Sequence, residues 1–251
     1  MLHETLSKLR EMRLSGMVEA LERQRERPDS HSLSFDERLA FLVDQEWSYR
    51  QDRRLSRLLK EAKLRLPACL EDVDCSPSRG LDRSTVESLA SCEWIRYHQG
   101  VVVTGPTGSG KTYLICALAN AACRMGYSAR YYRLPKLIRE LSMAKGDGSY
   151  DKLLNKLARV QVLLIDDLGL APMTETESRE LLEVIDERTG RRSTIVASQL
   201  PIAEWHATMA DPSAADAILD RLVHSAHKIA LHGESLRKEQ GQQAAGQAGH
   251  K

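Results

Sequence analysis

The stretch VVVTGPTGSGKTYLICALANAA, Val101 to Ala122, decides the fold of this 251-residue chain. Four β-branched residues, Val101 to Thr104, make a strand-like run. A glycine-rich turn follows, and then an apolar, alanine-rich segment without glycine or proline that favours a helix. The turn matches G-x-x-x-x-G-K-[ST] through Gly105, Gly110, Lys111 and Thr112. Gly105, Gly108 and Gly110 let the backbone curl so that successive N–H groups face phosphate oxygens. Lys111 is then placed to reach the β and γ phosphates and Thr112 to ligate magnesium. Pro106, Thr107, Ser109 and Tyr113 complete the candidate nucleotide loop.

Apolar runs rich in β-branched residues recur downstream at VLLI (162–165), TIVA (194–197) and KIAL (228–231), alternating with helical segments. That alternation predicts βαβ units: an α/β fold whose parallel sheet is sandwiched by helices, over residues 100–238. VQVLLIDDLG, 160–169, ends its apolar run in Asp166 and Asp167, the form of a Walker B strand. Asp166 is the acid expected to hold the magnesium through water, and Asp167 stands where a water-orienting glutamate is usual. Its side chain is one methylene shorter, so slow hydrolysis is expected. STIVASQLP places Gln199 at a strand end, within reach of a γ-phosphate or serving only as an ordinary turn. AILDRLVH offers Arg221, suited to a finger on a neighbour's nucleotide, and GESLRK offers Arg237, suited to a sensor in its own subunit.

Residues 1–66 carry apolar positions at helical spacing, Leu2, Leu6 and Leu9, then Met17 and Leu21 after a break expected at Ser15-Gly16. A polar turn, Pro28 to Ser34, precedes an amphipathic helix from Phe35 and a further helix expected to end at Pro67. That last helix, WSYRQDRRLSRLLKEAKLRLP from Trp47, holds seven cations and two acids in a chain of net charge +1. On a helical wheel Leu55, Leu58, Leu59, Ala62 and Leu66 share one face. Arg50, Arg53, Arg57 and Lys60 share the other, flanked by Arg54 and Arg65. Such a face fits the phosphates of duplex DNA, with affinity falling steeply as salt rises and with little reading of base sequence. A solvated helix face is the alternative. Residues 67–99 form a connector, and 239–251, rich in Gln, Gly and Ala, are expected to be disordered.

Composition excludes other classes. Forty-two per cent hydrophobic and 28% charged residues fit a soluble globular protein, and no apolar run approaches the length of a membrane span. The N-terminus is amphipathic rather than a leader, so a cytoplasmic location is expected. Cys69, Cys75, Cys92, Cys116 and Cys123 show no zinc spacing and are expected to be reduced.

Taken in order, GPTGSGKT, VLLIDDLG, TIVASQLP, DRLVH and GESLRK resemble the AAA+ ATPases of the DnaC-like helicase-loader clade. RRLSRLLKEAKLRLPACLEDVD (53–74), RGLDR (79–83) and Trp94-Ile95 narrow the resemblance to the IstB family, ATP-binding helpers of two-gene bacterial insertion sequences, over about residues 2 to 238. The resemblance implies an AAA+ sheet behind a small helical domain, with ATP and Mg2+ as cofactors. It also implies a bacterial protein that binds duplex DNA, self-assembles with ATP and presents the DNA to a cognate transposase. It assigns Arg221 as a trans-acting finger, Arg237 as the second sensor and Gln199 as the first, where asparagine is commoner. Two other readings stay open: a loader that grips a replicative helicase, and a metabolic P-loop kinase.

Overall fold

A computed structural model describes residues 2–26 and 33–233, which divide after Arg57 into two compact units. The Pro28–Ser34 turn and the 239–251 tail fall largely or wholly outside these residues. No described helix is long and apolar enough to cross a membrane.

The first unit holds α1 (Leu2–Glu11), α2 (Ser15–Glu26) and the greater part of α3 (Phe35–Ala62). Ser34 and Glu37 start α3 with reciprocal side-chain to backbone bonds of 3.3 and 2.8 Å. The two helices expected between Phe35 and Pro67 are one, and it ends five residues early. Lys63 takes a left-handed conformation, φ 49°, so Leu64, Arg65 and Leu66 leave the helical wheel. Gly16 does not break a helix either: the break falls at Met12–Leu14, and Gly16 lies in the first turn of α2. Its lack of a side chain lets α2 cross α3 closely, since a Cβ there would stand 2.7–2.8 Å from Gln45 O, Glu46 Cα and Tyr49 Cβ. The buried Glu46 carboxylate fastens this crossing. It accepts from the otherwise orphaned N–H groups of Gly16 and Met17 at 2.8 and 3.2 Å.

The second unit is a five-stranded, wholly parallel sheet in the order β2-β3-β4-β1-β5, formed by β1 (Gly100–Thr104), β2 (Ala129–Arg133), β3 (Val162–Leu168), β4 (Ser193–Ser198) and β5 (Ala226–Ala230). The connector contributes α4 (Arg83–Ala90), capped by Asp82 accepting from Thr85 N at 2.6 Å, and α5 (Glu93–Arg96). α6 (Lys111–Arg124) packs on one face. α7 (Leu134–Asp147), α8 (Tyr150–Arg159), α9 (Glu175–Asp186) and α10 (Pro212–Val223) supply the other helices. Strand alternation divides the core: Val102, Leu163, Ile165 and Val196 meet Leu137, Leu181, Val184 and Ile218, while Val101, Val103, Leu164 and Ile195 are buried on the opposite face. β2, with sequence ARYYR, lies at the sheet edge and was not legible as an apolar run. Because every strand runs the same way, their C-terminal ends make one rim where an open α/β sheet places its ligands.

Candidate functional site

The loop after β1 forms a cradle on that rim. Gly105, Gly108 and Gly110 take φ values of 148°, 87° and 95°, which residues with a Cβ rarely adopt. A Cβ on Gly105 would also stand 2.4 Å from Leu231 O. Lys111 begins α6 with its ammonium folded into the loop, donating to Gly105 O at 2.7 Å and Pro106 O at 2.8 Å. The Ser109 hydroxyl is buried without a hydrogen-bond partner, as expected of a group whose acceptor is a ligand. Thr107 donates to Gln199 Oε1 at 2.7 Å, which brings the end of β4 onto the loop.

The acids of β3 complete the rim. Asp166, buried, accepts from Thr112 Oγ1 at 2.8 Å through Oδ2, and Oδ1 accepts from the Asp167 N–H at 3.0 Å. A hydroxyl and a carboxylate converging beside a phosphate cradle are the hard oxygen donors that suit magnesium. Asp167 sits at a register irregularity between β3 and β4 with φ 64°, a conformation aspartate tolerates better than most. Its side chain turns away to an ion pair with Arg133 Nε at 2.6 Å.

The arginines separate. Arg221 lies beside Gly100 and Thr194 at the starts of β1 and β4, at the end of the sheet opposite the rim that carries Lys111. There its guanidinium pairs with Asp186 and donates to Ala217 O. Arg237 lies outside the described residues.

Residues beyond the expected set also have a place in the site. A cavity of about 340 Å³ opens beside the loop, lined by Val73, Arg79 and Leu81 of the connector, Ser109, Tyr113 and Leu231. Its apolar walls next to the cradle suit a nucleotide base. RGLDR thus has local work: Arg79 lines the cavity and pairs with Asp74, Gly80 lets the chain pass Ala230, and Asp82 caps α4. Arg133 and Tyr131 also reach the Walker B acids, and Arg65 joins them rather than the basic face.

In the first unit, Arg50, Arg53, Arg54 and Arg57 line one concavity of about 590 Å³ together with Arg13, which the α1–α2 turn contributes at φ 59°. Glu46 is the one acid in that lining, and its oxygens are engaged by Gly16, Met17 and Arg50. Lys60 lies in the last turn of α3 and is not part of this lining. The five cysteines are free thiols; burial pushes Cys92 and Cys123 up to about 11.

Comparison with known proteins agrees with this arrangement. Residues 7–244 match the family model described as IstB-like ATP binding protein. An insertion sequence ATP-binding protein of Sinorhizobium fredii is 48% identical over 238 residues, 95% of this chain and 97% of its own. The ATP-binding protein of insertion sequence IS1162 of Pseudomonas fluorescens is 54% identical over 202 residues, covering 80% and 87%. Among solved structures, DnaI aligns with TM-score 0.58 at 22% identity, covering 73% of this chain and 98% of that one. The DnaC helicase loader aligns with TM-score 0.57 at 17%, covering 68% and 99%. AMPPCP-bound DnaA from Aquifex aeolicus aligns with TM-score 0.57 at 18%, covering 70% and 54%. The fold is that of the AAA+ ATPases, and the chain belongs to the family of IstB-like ATP-binding proteins of insertion sequences.

Proposed function

We propose that this member of the IstB-like ATP-binding family is a Mg2+-dependent ATPase that assembles on duplex DNA and presents it to the transposase of its insertion sequence. The observation that carries this reading is the placement of Lys111 and Arg221 at opposite strand ends of one parallel sheet. A nucleotide held by one subunit is then completed by the next, and ATP joins subunits.

The loop N–H groups and Lys111 bind the triphosphate, and the base enters the cavity at Val73, Leu81 and Leu231. Thr112 and Asp166 would hold magnesium, which would supply charge neutralisation for the phosphates. Gln199 orients the water beside the γ-phosphate. Asp167, once free of Arg133, accepts a proton from that water as its oxygen attacks phosphorus. The bond to the β-phosphate oxygen breaks and ADP leaves. Loss of the γ-phosphate removes what Arg221 of the neighbour contacts, and the array loosens.

Arg13, Arg50, Arg53, Arg54 and Arg57 meet DNA phosphates, and assembly lines up these clusters along the duplex. Phosphate contacts give register without sequence preference. The test is a salt titration of duplex binding with ATP, ADP and no nucleotide, with the complexes imaged by electron microscopy. Lys111→Ala and Arg221→Ala should each lose the ATP-dependent assemblies. Assemblies indistinguishable from wild type would refute the reading, and capture of a replicative helicase without duplex binding would replace it with a loader.

A further inference from the structure

The stretch that follows α3 is tied to the nucleotide site residue by residue. At the end of the helix, the Glu61 carbonyl accepts from Arg130 of β2 at 2.8 Å. The Ala68 carbonyl accepts from Asn120 of α6 at 2.8 Å. Ala68 itself packs with Cys116 and Ala117, and Leu64 and Tyr131 close the same cluster. The Tyr131 hydroxyl donates to Asp166 Oδ2 at 2.8 Å, the same oxygen that accepts from Thr112.

We propose that Tyr131 is a positioning residue for Asp166, holding its carboxylate in place at the magnesium end of the nucleotide site. Asp166 has a limited set of lone pairs in a buried place. One oxygen is fixed by its own strand through the Asp167 N–H, and the other is aimed jointly by Thr112 and Tyr131. When magnesium draws Thr112 into its own coordination, Tyr131 remains to hold the carboxylate in line.

This inference rests on the reading of Thr112 and Asp166 as the metal site, so the experiment includes a variant that tests that reading separately. Mn2+, visible by electron paramagnetic resonance, is titrated into the full-length protein with a non-hydrolysable ATP analogue. Tyr131→Phe keeps the ring in its cluster and removes only the hydroxyl. It should raise the half-saturating metal concentration about tenfold, the effect of one hydrogen bond to a charged group. Its affinity for the analogue in EDTA should be unchanged, which also reports an intact fold.

A Tyr131→Phe titration superimposable on wild type, beside a shifted Asp166→Ala titration, overturns the inference and spares the site. An unshifted Asp166→Ala titration overturns both.

Discussion

Asp167 and Arg133 form an ion pair of 2.6 Å at the mouth of the nucleotide site, with the Asp167 backbone at φ 64°. The carboxylate oxygen that faces Arg133 is not available to a water molecule. Arg133→Ala should therefore raise single-turnover ATP hydrolysis several-fold with little change in ATP affinity, while Asp167→Ala should remove hydrolysis. A slower Arg133→Ala enzyme would mean that Arg133 aims Asp167 rather than occupying it.

The cavity beside the loop predicts where base recognition lies. Val73→Trp fills space lined also by Leu81 and Leu231 and leaves every residue of the loop unchanged. ATP affinity should fall tenfold or more, and inorganic triphosphate should bind as in wild type. Competition against a fluorescent nucleotide reads both, and equal losses would place the base elsewhere.

The arginine concavity predicts how charge reversal acts. Arg53→Glu with Arg57→Glu should abolish duplex binding and flatten the dependence of affinity on salt, sparing ATP binding. Arg13→Glu alone should lower the logarithmic salt slope by about 1 if it neutralises one phosphate. An Arg13 variant with the slope of wild type would leave that residue outside the contact.

Gly16→Ala tests the helix crossing. The added methyl meets Gln45 O, Glu46 Cα and Tyr49 Cβ at 2.7–2.8 Å, so the helices must part. Overpacking of this kind costs ~1–3 kcal/mol, more than the helix propensity that alanine adds. A lower thermal midpoint for a fragment or the full chain, read by circular dichroism, is the expected result.

Acid should loosen the same crossing. Burial pushes the Glu46 carboxyl up, but Arg50 and the N–H groups of Met17 and Gly16 outweigh it and hold it below the ordinary 4.5. A carboxyl depressed in the folded state stabilises the fold above its unfolded value. That contribution disappears as pH falls through the folded value, so the loss begins below about 4.5. Glu46→Gln should be less stable than wild type at pH 7, and the gap should close by pH 3.

The loop at Gly105–Thr112 and the apolar strands made the nucleotide fold legible, because glycine conformations and buried parallel strands leave strong local signatures. Gln199 was legible as a polar strand-end residue within reach of a γ-phosphate and, by resemblance, as the first sensor; its bond to Thr107 depends on β4 lying next to β1, a tertiary fact. β2 escaped because an edge strand need not be apolar, and Arg133 and Tyr131 escaped with it. The helix end was misplaced because Leu64 and Leu66 continue the apolar pattern beyond the point where Lys63 turns left-handed. That error put Arg65 with the wrong partners. Arg13 has no periodic neighbours at all and acquires its company only through the crossing at Gly16.

The separation of Lys111 from Arg221 has an arithmetic consequence. If each active site takes its finger from next door, a closed ring has as many complete sites as subunits, but an open array has one fewer. The terminal subunit at one end keeps its ATP, however fast the interior turns over. Disassembly then proceeds from within or from the other end, and hydrolysis per subunit rises with array length toward a plateau. The length of an assembly would be written into its rate, so the turnover of a mixture could be used to count its ends.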